Sequence, residues 1–210
     1  EFLQVGFEVF DRADPAAADA EVFALMAEAV AGLNLRAATG DIGILTAAVN
    51  GLRTTEARRA ALLRHIWRPR RFRALLDRFA GRTPVPASRK ALLAKPISDG
   101  EMDLLDTLLN VRETVPFALS HLRDLTVDMP SISDAVEGLA ARSDALVARG
   151  VDVDTLDFEA SYGRTSMEYY DGFVFGFYAA GRADLPAVVS GGRYDALTRR
   201  LGGGAEIPAV

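Results

Sequence analysis

The stretch EYYDGFVFGFYAA, residues 168–180, is rich in aromatic and β-branched side chains and predicts a β-strand. Residues 156–162, just before it, have a similar composition and predict a second strand. Residues 187–190 predict a short apolar strand, and residues 194–201 a short closing helix. The last third of the chain is therefore expected to supply much of a sheet.

The beginning of the chain predicts a further strand over residues 2–10, because apolar and polar side chains alternate there. The apolar face consists of Leu3, Val5, Phe7 and Val9. The opposite face consists of Gln4, Gly6 and Glu8. This second face has polar groups on either side of a glycine, so a ligand could lie against the backbone there.

Helix signals follow the first strand. Asp14-Pro15 provides an N-cap and a first-turn proline for an amphipathic helix that ends near Asn34. Residues 35–38 then predict a short strand, and the next helix is expected to end near Gly51.

Residues 54–150 have a helical pattern almost throughout, with breaks expected at Pro69, residues 84–86, Pro96 and Pro130. Strands at both ends with helices between them predict an α+β fold whose sheet is assembled from sequence-distant pieces. We therefore expect one domain over residues 1–210, with the helical middle inserted between the strand regions.

Composition narrows the function classes. The 24 basic and 29 acidic residues give a net charge of −5, which disfavours nucleic acid and anionic membranes as partners. The absence of cysteine excludes thiolate zinc sites, disulfides and cysteine nucleophiles, and two histidines argue against a histidine-rich metal site. No apolar run approaches the roughly 20 residues that span a bilayer. A cytoplasmic protein without a cofactor is expected, and the start at Glu1 suggests an excised fragment.

Tyrosines and glycines cluster in YYDG at residues 169–172 and in GGRYD at residues 191–195. Together with Gln4, Gly6 and Glu8 they could form the floor of a site for a small polar ligand. A buried carboxylate such as Glu8 could hold a cationic amine, and tyrosine hydroxyls can bond an imidazole or amide. The alternative is that the tyrosines are half-buried sheet aromatics and the glycines mark turns and bulges.

Other polar features favour structural roles. The arginine-rich stretch at residues 58–73 could be a basic face, but a solvated helix face is the favoured interpretation. His65 and His121 lie in helical patterns and are interpreted as packing or surface residues. No nucleophile elbow, Walker loop or dinucleotide fingerprint occurs in the sequence.

Four segments resemble, in order and spacing, the catalytic domain of histidyl-tRNA synthetase. They are QVGFEVF at residues 4–10, ADAEV at 18–22, YYDGFVF at 169–175 and GGRYD at 191–195. The resemblance implies a class II aminoacyl-tRNA synthetase-like antiparallel sheet flanked by helices. It further implies that Gln4 and Glu8 contact the amino end of a histidine ligand. The implied histidine-binding residues are Gln4, Glu8, Tyr169, Tyr170, Arg193 and Tyr194.

A second family shares this scaffold: the regulatory subunit of ATP phosphoribosyltransferase, a synthetase paralogue without aminoacylation activity. Synthetases typically have Arg-Gly-Leu-Asp before the tyrosine pair, whereas this chain has TSME at residues 165–168, with Arg164 one position too early. Asp171 and Gly176 replace the small residue and the acid that synthetases usually have after the pair. WRP at residues 67–69 and the helices around it resemble regulatory subunits.

These departures predict a non-catalytic regulatory subunit for the first step of L-histidine biosynthesis, which senses histidine for feedback control. The expected partners are a separate short-form ATP phosphoribosyltransferase catalytic chain and L-histidine, with a homodimeric core inside a hetero-oligomer. The alternatives are a histidyl-tRNA synthetase catalytic-domain fragment and a synthetase-like domain with another amino-acid ligand. Because neighbours on a strand face opposite sides, only one of Tyr169 and Tyr170, by the resemblance Tyr170, is expected to touch the ligand.

Overall fold

The computed structural model describes residues 3–10, 13–84, 95–165, 168–182, 184–202, 204 and 206–210. The strands are β1 (Leu35–Asp41), β2 (Arg112–Thr114), β3 (Asp157–Glu159), β4 (Phe173–Ala179) and β5 (Val189–Gly192). The helices are α1 (Pro15–Ala29), α2 (Ile42–Gly51), α3 (Glu56–Arg64), α4 (Pro69–Phe79), α5 (Asp99–Leu109), α6 (Val115–Thr126), α7 (Ser133–Ala148) and α8 (Asp195–Leu201). A 3-10 turn at Pro130–Ile132 precedes α7.

The strands form a five-stranded sheet in the order β2-β3-β1-β4-β5. Its longest ladder joins β1 and β4 antiparallel, from Leu35 opposite Ala179 to Asp41 opposite Phe173. The β2-β3 and β4-β5 pairs are also antiparallel, but β1 and β3 run parallel. The predicted α+β fold is thus confirmed, whereas the sheet is mixed. A parallel pair needs a long crossover, and the helical middle provides it.

Strand β4 lies at the centre of the core. Phe173, Phe175 and Phe177 alternate onto one face, where all three rings lie 5.2 to 6.3 Å from the ring of Phe23 in α1. The other face contains Gly176, where a Cβ atom would lie 2.2 Å from the hydroxyl of Tyr162. Helix α1 and the sheet are therefore joined by an aromatic cluster that the period-2 pattern of the sequence encodes.

The helical middle follows the predicted pattern with different boundaries. Pro69 and Pro130 begin a helix and a 3-10 turn, because proline is tolerated in a first turn where its missing N–H is not needed. Residues 85 and 86 of the predicted proline break lie outside the described residues. Strand β2 was missed because three largely exposed residues show no apolar alternation.

The strand predicted over residues 2–10 is wrong for residues 3–9, and residue 2 lies outside the described part. Phe10 forms an isolated antiparallel bridge with Ala209, and Val9 exchanges two backbone hydrogen bonds with Val210. Alternation alone does not make a ladder, because each strand also needs a neighbour with free backbone groups. Leu3 and Val5 accordingly remain 98% and 93% exposed.

A buried ion network ties four parts of the fold together. The Asp19 carboxylate in α1 accepts hydrogen bonds from Arg142 Nε at 2.9 Å and from Arg193 Nη2 at 2.7 Å. Arg142 Nη2 also donates to Asp41 at 2.7 Å, and Arg193 Nη1 donates to Asp195 at 2.9 Å. Asp19 and its two arginine partners therefore join helices α1 and α7, the β1-α2 boundary and the β5-α8 connection.

The charges of this network stabilise each other. Burial alone would lower the pKa of Arg142, but the adjacent carboxylates of Asp41 and Asp19 raise it above its ordinary value. The Arg142 guanidinium also lies 4.5 Å from the ring centroid of Phe173. The network is thus joined to the aromatic core.

Replacing Arg142 should destabilise the fold strongly, because Asp41 and Asp19 would be left buried with less compensation. We expect Arg142→Met to lower the free energy of unfolding by about 3 to 5 kcal/mol, as for other broken buried pairs. The control is Arg149→Met, which removes an exposed ion pair with Glu21 between the same two helices, 3.5 Å long, and should cost at most about 1 kcal/mol. Urea unfolding followed by circular dichroism measures both, and equal losses would contradict the role of the network.

Candidate functional site

A cavity of about 860 Å³ opens between the N-terminal segment, α1, β5 and the residues before β4. Its lining combines one carboxylate, one amide and three phenols with apolar and glycine positions. The lining residues are Leu3, Gln4, Val5, Gly6, Phe7, Glu8, Val22, Met26, Tyr169, Tyr170, Phe175, Ala187, Val188, Val189, Ser190, Gly191, Gly192, Tyr194 and Val210. The structure thus brings five of the six sequence-predicted site residues to one cavity.

The three tyrosines form a connected aromatic group. The ring centroids of Tyr169 and Tyr170 lie 4.9 Å apart, and those of Tyr169 and Tyr194 lie 5.9 Å apart, in edge arrangements. Tyr170 is only 7% exposed. Tyr169 and Tyr170 precede β4 instead of lying in it, so strand alternation does not apply and both rings reach the cavity. The expectation that only one of them faces the site assumed a strand from residue 168, whereas β4 begins at Phe173, three residues after Tyr170.

Two of these phenols stay protonated at neutral pH. Burial raises the pKa of Tyr194 to about 12, with further contributions from the Glu8 carboxylate and the hydrogen bond between them. Burial also raises the pKa of Tyr170 well above its ordinary value, and neighbouring Tyr169 adds to this effect. The proton of Tyr194 is used in the bond to Glu8, so this hydroxyl can accept a hydrogen bond from a ligand, whereas the Tyr170 hydroxyl can act as a donor or an acceptor.

Glu8 is the one acidic residue of the described lining. Its side chain is exposed, whereas the sequence suggested a buried carboxylate. The residues around it lack a regular strand, so the carboxylate remains accessible to solvent from the open side of the cavity. Gln4 lies in the same segment and also lines the cavity. An ammonium group of a ligand could pair with Glu8 there and be bonded by the Gln4 amide oxygen.

Glycines in β5 let the aromatic rings lie close to the sheet. A Cβ atom at Gly192 would be 2.9 Å from Cδ1 of Tyr170, and one at Gly191 would be 2.4 Å from Cζ of Phe175. Gly6 has open space around it, as expected for a bare part of the cavity floor. Gly172, which was also expected in the floor, instead lies against the side chain of Arg193.

The placement of Arg193 corrects the sequence-based expectation of a pocket residue. Its guanidinium lies outside the cavity lining and is used by Asp19, Asp195 and the carbonyl oxygen of Pro15, at 2.7 to 3.0 Å. Two carboxylates compete for it more strongly than a solvent-accessible ligand could, because these partners are desolvated with it. Arg193 thus fixes the chain next to Tyr194.

The other polar residues singled out in the sequence also lie away from the cavity. Arg164 is 5% exposed, donates from Nε to the carbonyl oxygen of Ile66 at 2.8 Å, and lies 4.7 Å from the ring centroid of Phe72. Burial lowers its pKa to about 10. His65 caps the end of α3, and His121 is partly exposed and 3.8 Å from Glu113. Sequence reasoning missed Val22 and Met26 in α1 and Val189 in β5, which look like ordinary apolar core positions.

The arginine-rich stretch does not form one continuous basic face. The Arg59 guanidinium donates to the carbonyl oxygens of Leu52 and Thr54 at 3.1 and 2.9 Å. Arg73 forms ion pairs with Asp77 and Asp106. Arg59 and Arg73 therefore already have hydrogen-bond or ion-pair partners close to them in the fold.

Within the described residues, no group of three potential ligands could hold a metal ion, and no helix is long and apolar enough to cross a membrane. Asp171 has a structural partner instead. Its carboxylate accepts hydrogen bonds from the backbone N–H groups of Asp195 and Ala196 at 3.2 and 2.6 Å, at the start of α8.

The family model of histidyl-tRNA synthetase matches residues 1–210. The chain belongs to the histidyl-tRNA synthetase family. Curated relatives include the ATP phosphoribosyltransferase regulatory subunits of Brucella ovis and Brucella abortus, each 31% identical over 137 residues, or 62% of this chain and 36% of the relative. The chain thus spans about a third of the length of these relatives. Their name is that of the family which the sequence analysis favoured.

Solved structures of this synthetase family support the fold. The chain is similar to an ATP phosphoribosyltransferase regulatory subunit/histidyl-tRNA synthetase from Bacillus halodurans, with a TM-score of 0.68 at 24% identity, covering 96% of this chain and 48% of the other. Histidyl-tRNA synthetase from Nostoc gives a TM-score of 0.65 at 18% identity, covering 97% and 45%. The predicted class II synthetase-like fold is confirmed.

In this synthetase-family chain, Asp171 should make stability depend on pH. Burial raises its pKa from 3.8 to about 6, although the backbone N–H groups of α8 oppose the shift. The folded state therefore binds more protons than the unfolded chain between these values, so the stabilising contribution is complete below about pH 4 and is lost as the pH rises through about 6.

Asp171→Asn keeps an oxygen acceptor without an ionisable group, so we expect a smaller loss of stability between pH 4 and pH 6 than in the wild type. Urea unfolding at several pH values measures this slope. Asp154→Asn, at an exposed position outside the cavity, is the control and should leave the slope unchanged. A wild-type slope in Asp171→Asn would contradict the assignment.

Proposed function

We propose that this chain is part of a non-catalytic regulatory subunit of ATP phosphoribosyltransferase, which acts in the first step of L-histidine biosynthesis. The observation that carries the proposal is the absence of a cationic side chain from the described cavity lining. Aminoacylation passes through phosphoryl chemistry in which positive groups stabilise developing negative charge. Arg164, the arginine nearest in sequence to the tyrosine pair, instead lies buried against Phe72.

The names of the Brucella relatives support the same function. A solved ATP phosphoribosyl transferase complex from Thermotoga maritima also shares the fold, with a TM-score of 0.56 at 15% identity, covering 96% of this chain and 62% of the other. We infer that the partner is a separate short-form catalytic chain, that the regulatory subunit has a homodimeric core, and that the assembly is cytoplasmic. Reading the chain as a synthetase fragment would require a charge-stabilising group that the described lining lacks.

L-Histidine is the ligand that the cavity chemistry favours. Glu8 is accessible for pairing with the ligand ammonium, the Tyr170 hydroxyl can donate to one imidazole nitrogen, and the Tyr194 hydroxyl can accept from the N–H of the other. Gly6 leaves open space beside these groups. Binding here would couple the histidine concentration to the state of the regulatory subunit, as feedback control requires.

Glu8→Gln tests the ligand assignment. We expect the whole protein with this substitution to bind histidine about tenfold more weakly in calorimetric titration, because a charge-assisted bond worth about 1.5 kcal/mol becomes a neutral one. Glu28→Gln, an exposed substitution in α1 outside the cavity with the same change in charge, should bind like the wild type. Equal affinities for wild type and Glu8→Gln would place the histidine site elsewhere.

The partner assignment is tested by mixing the whole protein with a short-form ATP phosphoribosyltransferase chain from the same organism. We expect the two to elute together in size-exclusion chromatography, and the mixture to gain activity and histidine inhibition that the catalytic chain alone lacks. Separate elution at micromolar concentrations without a change in activity would contradict the proposal. Formation of histidyl-tRNA by the whole protein would support the synthetase alternative instead.

A further inference from the structure

Three consecutive residues between α3 and α4, Ile66, Trp67 and Arg68, contact the chain around the tyrosine pair. The Ile66 carbonyl oxygen accepts the hydrogen bond from Arg164 Nε at 2.8 Å. Trp67 Nε1 donates to the carbonyl oxygen of Tyr170 at 3.3 Å. Arg68 Nη2 lies 3.1 Å from Oε1 of Glu168. We call these three residues the α3-α4 junction.

The contacts differ in their expected strength. The Arg68 ion pair is exposed at both ends, so it should contribute little. The Arg164 contact is buried, and its guanidinium also stacks on Phe72 of α4. The Trp67 bond is partly buried and satisfies a backbone carbonyl of a cavity residue. The contacts of Arg164 and Trp67 are more buried than the Arg68 ion pair, and they are therefore the ones that hold the tyrosine pair in place.

From this geometry we infer that Trp67 is a positioning residue for the ligand cavity, because it fixes the backbone of Tyr170 to the α3-α4 junction. Tyr170 lies before β4, where the next N–H, that of Asp171, donates to the carbonyl oxygen of Arg193 at 2.9 Å. Trp67 bonds the carbonyl oxygen of the same peptide unit, so this unit is held between Arg193 and the α3-α4 junction. Its ring packs between Tyr169 and Gly192, where small backbone shifts change the shape of the cavity. Binding groups need support of this kind to within about 0.5 Å.

The same contact makes Trp67 a reporter of the cavity. Trp67 is the one tryptophan of the 210-residue sequence, and its indole N–H is bonded to the residue whose phenol faces the ligand. A ligand that tightens Tyr170 should change the surroundings of this indole although the ligand does not touch it. A residue with only a general packing role would show no such ligand-dependent signal.

The inference rests on the proposed function for the identity of the ligand, so the test has a ligand-dependent and a ligand-independent part. In the whole protein, Trp67→Phe keeps an aromatic ring but removes the N–H donor. Arg68→Met is the control at the same junction, because it removes only the exposed ion pair. We expect Trp67→Phe to weaken histidine binding about fivefold and Arg68→Met to change it less than twofold.

Two further readouts use the wild type and the unliganded variants. Saturating histidine should shift the tryptophan emission of the wild type and of Arg68→Met, because both proteins keep Trp67. Without ligand, amide hydrogen exchange of the peptide that contains Tyr169 and Tyr170 should be faster in Trp67→Phe than in Arg68→Met.

The outcomes separate the two proposals. Absence of histidine binding by the wild type, with faster exchange in Trp67→Phe, would overturn histidine as the ligand and support the positioning role. Normal histidine binding by Trp67→Phe, or an unchanged wild-type emission at saturation, would overturn the positioning role and leave the proposed function intact. If Trp67→Phe does not fold, the wild-type emission alone decides.

Discussion

One carboxylate, Asp19, holds the parts of this fold in register. It is almost completely buried and accepts hydrogen bonds from both Arg142 and Arg193. Burying an ion is costly unless geometry and partners compensate for the lost water, so the four segments that supply these charges must arrive together. The interaction therefore selects one arrangement of α1, α7 and the two strand ends, whatever its net contribution to stability.

The cavity depends on this arrangement. Arg193 directly precedes Tyr194, and Asp19 lies one turn before the cavity residue Val22 in α1. Arg193, which the sequence suggested as a ligand-binding residue, therefore fixes the backbone next to Tyr194 and does not line the cavity. The α3-α4 junction supports the tyrosine pair from the other side. The pair and Tyr194 are therefore both held by residues that do not line the cavity.

Much of the fold could be predicted from the sequence, because helix signals such as Asp14-Pro15 and the alternating aromatics of β4 are local. The strand at residues 2–10 failed because alternation shows which side chains share a face but not whether a neighbouring strand is present. The grouping of Gln4, Glu8 and the tyrosines came from a family resemblance. The bonds of Arg193 to Asp19 and of Arg164 to the Ile66 carbonyl oxygen could not be predicted, because these partners lie 174 and 98 residues away in the chain.

The distribution of charge among the described residues determines which ligand groups the cavity can favour. Three buried arginines lie in or near the sheet, yet Arg142 and Arg193 face carboxylates, and Arg164 faces a carbonyl oxygen and an aromatic ring. Arg142 and Arg193 project little field into a neighbouring cavity, because an opposite charge lies within hydrogen-bonding distance of each. The described lining is left with the acidic side chain of Glu8, which attracts an ammonium group and disfavours a phosphate.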